Sequence, residues 1–126
     1  MVQLDKAISD HLGILLGRGF IETGACENAG YGYAERTYPM NHVVLKASCE
    51  RGLSWFELGC ADHPDRLADG SSIRDLLDPP TLGRWNLGMG AAAFVNERWG
   101  EVYELLKPFN WPTALLHIEA FARQRA

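Results

Sequence analysis

Four consecutive residues, Cys60-Ala61-Asp62-His63, bring together side chains that ligate metals or activate nucleophiles. A thiolate and an imidazole at this spacing suit zinc, and Cys26 or Cys49 on nearby strands could add a third ligand. A structural zinc site normally carries two such pairs, however, and here there is one. As a Cys–His nucleophile the same residues lack a third group to orient the imidazole. Asp62, His63 and Asp65 could form an acid–base set, but they fall in a polar connection, where such side chains ordinarily face water. The expectation is no bound metal, no cofactor and no catalytic residues, with His63 a loop histidine beside a core cysteine.

Other motifs lead the same way. Leu87-Gly88-Met89-Gly90-Ala91 precedes a helical pattern and could aim backbone N–H groups at an anion. It lacks the third glycine of a dinucleotide loop and the lysine of a phosphate loop, so it reads as a loop that lets a helix pack closely. Gly-x-Ser-x-Gly and His-Glu-x-x-His are both absent. His11 and His117 fall on helical faces as packing or surface residues. Trp55, Trp85, Trp99 and Trp111 read first as core, with one or two available as interface anchors. The three cysteines are odd in number and lie on or beside strands, which predicts buried free thiols in a reducing compartment.

Charge is distributed unevenly. The net charge of -4 argues against nucleic acid, whose phosphates need a basic footprint. Glu57, Asp62, Asp65, Asp69, Asp75 and Asp78 face only Arg66 and Arg74 within residues 57–78, so this stretch holds the whole excess and the rest of the chain is balanced. Such a stretch is either a solvated loop or a steering surface for a basic partner. On the second reading Glu57, Asp62, His63, Asp65, Asp69, Asp75 and Asp78 are the contact residues, with Trp55 beside them.

The elements that would position these residues are legible in the hydrophobic pattern. In HVVLKASC, Val43, Leu45, Ala47 and Cys49 alternate with His42, Val44, Lys46 and Ser48, the period of a strand with one buried face. In LSWFELGC, Phe56 and Leu58 oppose Leu53, Trp55 and Glu57. Glu50-Arg51-Gly52 reads as the turn of a central antiparallel hairpin. Leu4, Ile8, Leu12, Leu15 and Leu16 predict an amphipathic helix over 3–17, stopped at Gly17-Arg18-Gly19. Strands are expected over 20–27 and 31–38, separated by Asn28-Ala29-Gly30 and ended by Pro39. Beyond Cys60, Ser71 or Ser72 caps a short helix over 73–77 with Asp75 in its first turn, closed by Asp78-Pro79-Pro80. Residues 81–90 read as loop. Residues 91–106 read as one long helix with Phe94, Val95, Arg98, Trp99, Val102, Tyr103 and Leu106 along a face. A last helix runs from Pro112 to about Ala122, with Leu115, Leu116, Ile118 and Phe121 apolar.

Segregated strands and helices predict a single α+β domain over 1–126: an N-terminal helix, a four-stranded antiparallel meander, and C-terminal helices on one sheet face. The other face, with Trp55, Val44, Lys46 and His42, stays available for contact. No apolar run approaches a membrane span, and the N-terminus has no signal-peptide pattern, which predicts a cytoplasmic protein.

In layout the chain resembles the immunity proteins of bacterial polymorphic-toxin and contact-dependent competition systems. The features that carry this are the opening helix ending in Leu-Gly-Arg-Gly-Phe, the strand–Glu50-Arg51-Gly52–strand hairpin, and the acidic, helix-rich half that follows. The resemblance implies a non-enzymatic inhibitor that binds a cognate toxin and blocks its active site. Two alternatives stand beside it. One is a secretion chaperone, which would show a late strand pair; the other is an enzyme or ligand-binding protein with a pocket between the sheet and the C-terminal helices.

Overall fold

Strands β3 (Val43–Glu50) and β4 (Leu53–Cys60) form the central hairpin, with Leu45 opposite Leu58 and Ala47 opposite Phe56. The computed structural model describes residues 2–28, 30, 32–79 and 88–125. Because Glu50 pairs directly with Leu53, the connection is Arg51-Gly52 alone, one residue shorter than expected. Both have positive φ (50° and 86°), the backbone form whose twist matches a two-residue hairpin, and glycine adopts it without a Cβ clash.

The sheet has five antiparallel strands in chain order, β1 (Gly24–Asn28), β2 (Tyr33–Met40), β3, β4 and β5 (Ala68–Asp69). Four were expected. The fifth spans two residues opposite Glu57 and Leu58, too short for any period-two pattern to register. Pro39 was expected to end the second strand, yet β2 continues to Met40. The Pro39 carbonyl accepts from the Ile21 N–H (3.4 Å), so the missing proline N–H also lies on that side, and no β2–β3 bond is lost. Thr23 N–H likewise donates to Thr37 O (2.9 Å), although regular pairing begins at Gly24 rather than Phe20. Ala29, Tyr31, Pro80, Trp85 and Leu87, with most of the expected loop over 81–90, lie outside the described residues.

Ahead of the sheet come α1 (Val2–Ala7), a π-helical turn over Ile8–Leu12 and α2 (Gly13–Leu16). Their apolar stripe buries Leu4, Leu12 and Leu15, and the run stops at Gly17 as expected. After the sheet come α3 (Gly70–Leu77), a 3-10 turn (Gly88–Ala91), α4 (Ala92–Glu97), α5 (Trp99–Leu105) and α6 (Trp111–Arg125). The helix expected over 91–106 is thus divided. At Arg98 the backbone leaves helical geometry (φ -101°, ψ 29°), and its guanidinium grips Glu101 through two bonds of 2.6 and 2.7 Å. The apolar face survives the break, since Val95, Val102 and Leu106 are all fully buried.

The helices pack on the sheet face bearing Val43, Leu45, Phe56 and Leu58, each without exposed surface. At the sheet edge Arg36 reaches Glu27 (2.8 Å), Glu22 (3.4 Å) and Asp5 of α1 (3.5 Å), tying the first helix to β1 and β2. His42, expected on the opposite face, instead occupies the β2–β3 turn. There its Nε2 donates to the Tyr103 carbonyl (3.0 Å) and its ring meets the Tyr103 ring edge-on, because a turn residue escapes the strand alternation. Cys49 and Cys60 are buried, whereas Cys26 is exposed on the short edge strand β1, contrary to expectation. All three thiols are free.

Candidate partner-binding surface

Strand register assembles the sheet's second face. Residues directly opposite one another share a face, so Glu35, Ser48 and Trp55 form one row, and Thr37, Lys46, Glu57 and Asp69 the next. Lys46 Nζ sits between two carboxylates, 3.8 Å from Glu35 and 3.6 Å from Glu57. Two half-exposed acids thereby share one ammonium, leaving local negative charge. The Tyr33 hydroxyl donates to Glu35 Oε2, and burial, reinforced by that carboxylate, pushes the phenol up to about 12. Tyr33 therefore stays neutral and a donor across the physiological range. Trp55 is half-buried, with part of its ring available beside the carboxylates. Val44 is buried on this face yet separate from the main core cluster.

The polar connection after Cys60 borders this surface. Leu67 rests on Gly59 so closely that a side chain at position 59 would meet Leu67 Cδ2 at 2.5 Å. The connection is held along its length. Ala61 N–H donates to His42 O (2.7 Å), His63 N–H to Cys60 O (3.0 Å), and Arg66 N–H to His63 O (3.0 Å). Finally the indole of Trp111, wholly buried in α6, donates to Arg66 O (3.0 Å). Between these points Asp62, His63 and Asp65 stand exposed. A polar loop has become a displayed acidic turn.

The structure divides the acidic residues by role. Glu57 lies on the open sheet face, and Asp62 and Asp65 on the turn. Asp78 is exposed at the far end of α3. Asp69 is the N-cap of α3, where Oδ1 accepts from the Ser71 N–H (2.8 Å) and hydroxyl (2.6 Å); Ser71 and Ser72, expected as caps, lie inside the helix. Replacing Asp69 by alanine should cost about 0.5–2 kcal/mol by urea denaturation, and replacement by asparagine very little. Asp75 was expected in the first turn of a short helix over 73–77, among the contact residues. It lies in the second turn, buried with Arg74 (Nη2 to Oδ1 3.5 Å), because the helix begins three residues earlier than the pattern indicated. Its charge does not contribute to a surface.

Tyr33 and Glu35 were not among the contact residues expected from sequence. They stand two residues apart on one face of β2, and only the register sets them beside Trp55 and Lys46. Among the described residues no group of three or more His, Cys, Asp and Glu is placed to hold a metal, and Cys60 is buried while His63 faces solvent. Among the described residues no helix is long and apolar enough to cross a membrane. No protein-family model, curated protein or solved structure matches the chain.

Proposed function

We propose that this chain is a non-enzymatic inhibitor of the immunity type, which binds a cognate toxin domain with a basic active-site cleft. The observations that carry the reading are the sheet face bearing Tyr33, Glu35, Trp55 and Glu57 and the exposed acidic turn Asp62–Asp65 that follows β4. Aromatic groups there supply contact area at low entropic cost, and the carboxylates supply complementary charge. A cleft that holds an anionic substrate is matched by such a surface, so the inhibitor occupies the substrate's place. Its seat is a cellular compartment in which the toxin would otherwise act, the cytoplasm.

The partner to test is the protein encoded immediately upstream. Co-expression should restore growth of cells making that protein, and the purified pair should form a stable complex. Changing Asp62 and Asp65 together to asparagine should leave stability nearly unchanged, since exposed charges contribute little. Asp69 is left intact because it caps α3. Association of the double variant should be slower by about tenfold at low ionic strength, and the difference should shrink at high salt. Equal association rates at low salt would remove the turn from the interface and leave the sheet face around Glu35, Trp55 and Glu57. No complex and no growth protection would overturn the proposal.

A further inference from the structure

A second surface lies away from the acidic turn. Helices α5 and α6, joined by residues 106–110, border with α3 an open groove of about 630 Å³ whose apolar lining comes from Leu76, Leu105 and Ala114. Phe109 stands at its lip, 93% exposed. A phenylalanine almost entirely in water, beside an unfilled apolar groove, is a knob and a hole on the same side of one molecule. Leu116, one of the apolar residues of the last helix, is 64% exposed and adds apolar surface on the solvent side of α6.

We infer that this face is where two copies of the chain associate. A two-fold axis brings the same patch against itself, so each copy must supply both the projection and the recess, as this one does. Phe109 of each copy fills the groove of the other, as side-chain ridges of one helix enter the grooves of another. The rim charges favour an identical partner over a basic one. Glu101 is clamped by Arg98 at 2.6 Å, and Glu104 is bonded to Lys107 at 2.8 Å, so each rim carboxylate is already matched within its own chain. Two such rims meet without a large repulsion, and an incoming cation would have to displace an existing partner.

The size of the contact sets its strength. Two phenylalanines bury about 300–500 Å² between them, and the groove walls roughly as much again. The total, about 600–1,000 Å², is below the roughly 1,200–2,000 Å² of a standard interface, so the association is weak and concentration-dependent.

Sedimentation velocity on the full chain from about 10 μM to about 1 mM tests this. The wild type should shift from monomer toward dimer over that range, with little dependence on salt. Phe109→Asp should raise the dissociation constant by more than about tenfold while leaving the thermal transition unchanged, because the ring touches so little of its own fold. Thr113→Trp, on the exposed rim of α6, should block the recess to similar effect. A mixture of Phe109→Ala and Thr113→Trp chains should recover part of the association, since one knob and one recess remain between them. A wild type that stays monomeric to about 1 mM, a Phe109→Asp variant that dimerises as well as the wild type, or a dimer dispersed by salt would overturn the inference.

Discussion

Replacing Phe56 by alanine should destabilise the protein by about 3–5 kcal/mol, measured as a lowered urea midpoint with an unchanged slope. Phe56 has no exposed surface and sits on the helix-covered face of β4. Its ring ends against Gly70, the first residue of α3; a Cβ built there would lie 2.6 Å from both Cε1 and Cε2 and closer still to Cζ. The two positions are therefore coupled. Gly70→Ala alone should cost about 1–3 kcal/mol or more through overpacking. In the Phe56→Ala background the same change should be close to neutral, since the methyl enters space the ring has vacated. A double-mutant cycle measures this coupling directly, and additive losses would show that α3 does not press on the ring.

Trp111→Ala should have an effect of similar size, about 3–5 kcal/mol, because among the described residues the indole is the largest side chain with essentially no exposure. Its second role separates it from other core residues. Trp111 Nε1 donates to Arg66 O, anchoring the acidic turn to α6. Trp111→Phe keeps most of the apolar volume and removes the donor, so it should cost only about 1–3 kcal/mol. Amide hydrogen exchange should then quicken at His63 and Arg66, while protection in β3 and β4 holds. If the turn serves as the toxin-facing surface, this variant should also associate more slowly although Asp62 and Asp65 are intact. Unaltered exchange at those amides would show that the backbone bonds from Ala61 and Arg66 suffice to hold the turn.

Much of the architecture was legible because it follows local periodicity. Alternation in β3 and β4 separated Val43, Leu45, Phe56 and Leu58 from Val44, Lys46, Trp55 and Glu57, and the structure buries the first set under helices. Leucine spacing over 3–17 located the first helical run. Charge composition isolated residues 57–78, and pattern placed Asp62 and Asp65 on a polar connection. The pattern did not reach β5, since two residues have no period, nor the break at Arg98, since the apolar spacing runs through it. Nor did it say which apolar residues of the last helix are covered: Leu115 is buried and Leu116 exposed, because that depends on which neighbours arrive.

The sequence by itself determined the class of the fold and the sidedness of the central hairpin, because both depend on interactions between residues near in the chain. Tertiary structure decided what each charge does. Six acids that count alike toward the charge of one stretch became a helix cap at Asp69, a buried ion-pair member at Asp75, a sheet-face carboxylate at Glu57 and exposed groups at Asp62, Asp65 and Asp78. The candidate surface likewise exists only through register, which sets Glu35 of β2, Lys46 of β3 and Glu57 of β4 side by side. Phe109 shows the same division. Its apolar character was plain in the sequence, but its place at the lip of an empty groove depends on how α3, α5 and α6 converge around it. Burial and electrostatic partnership are properties of the residues that surround a side chain, and those are brought together by long-range packing.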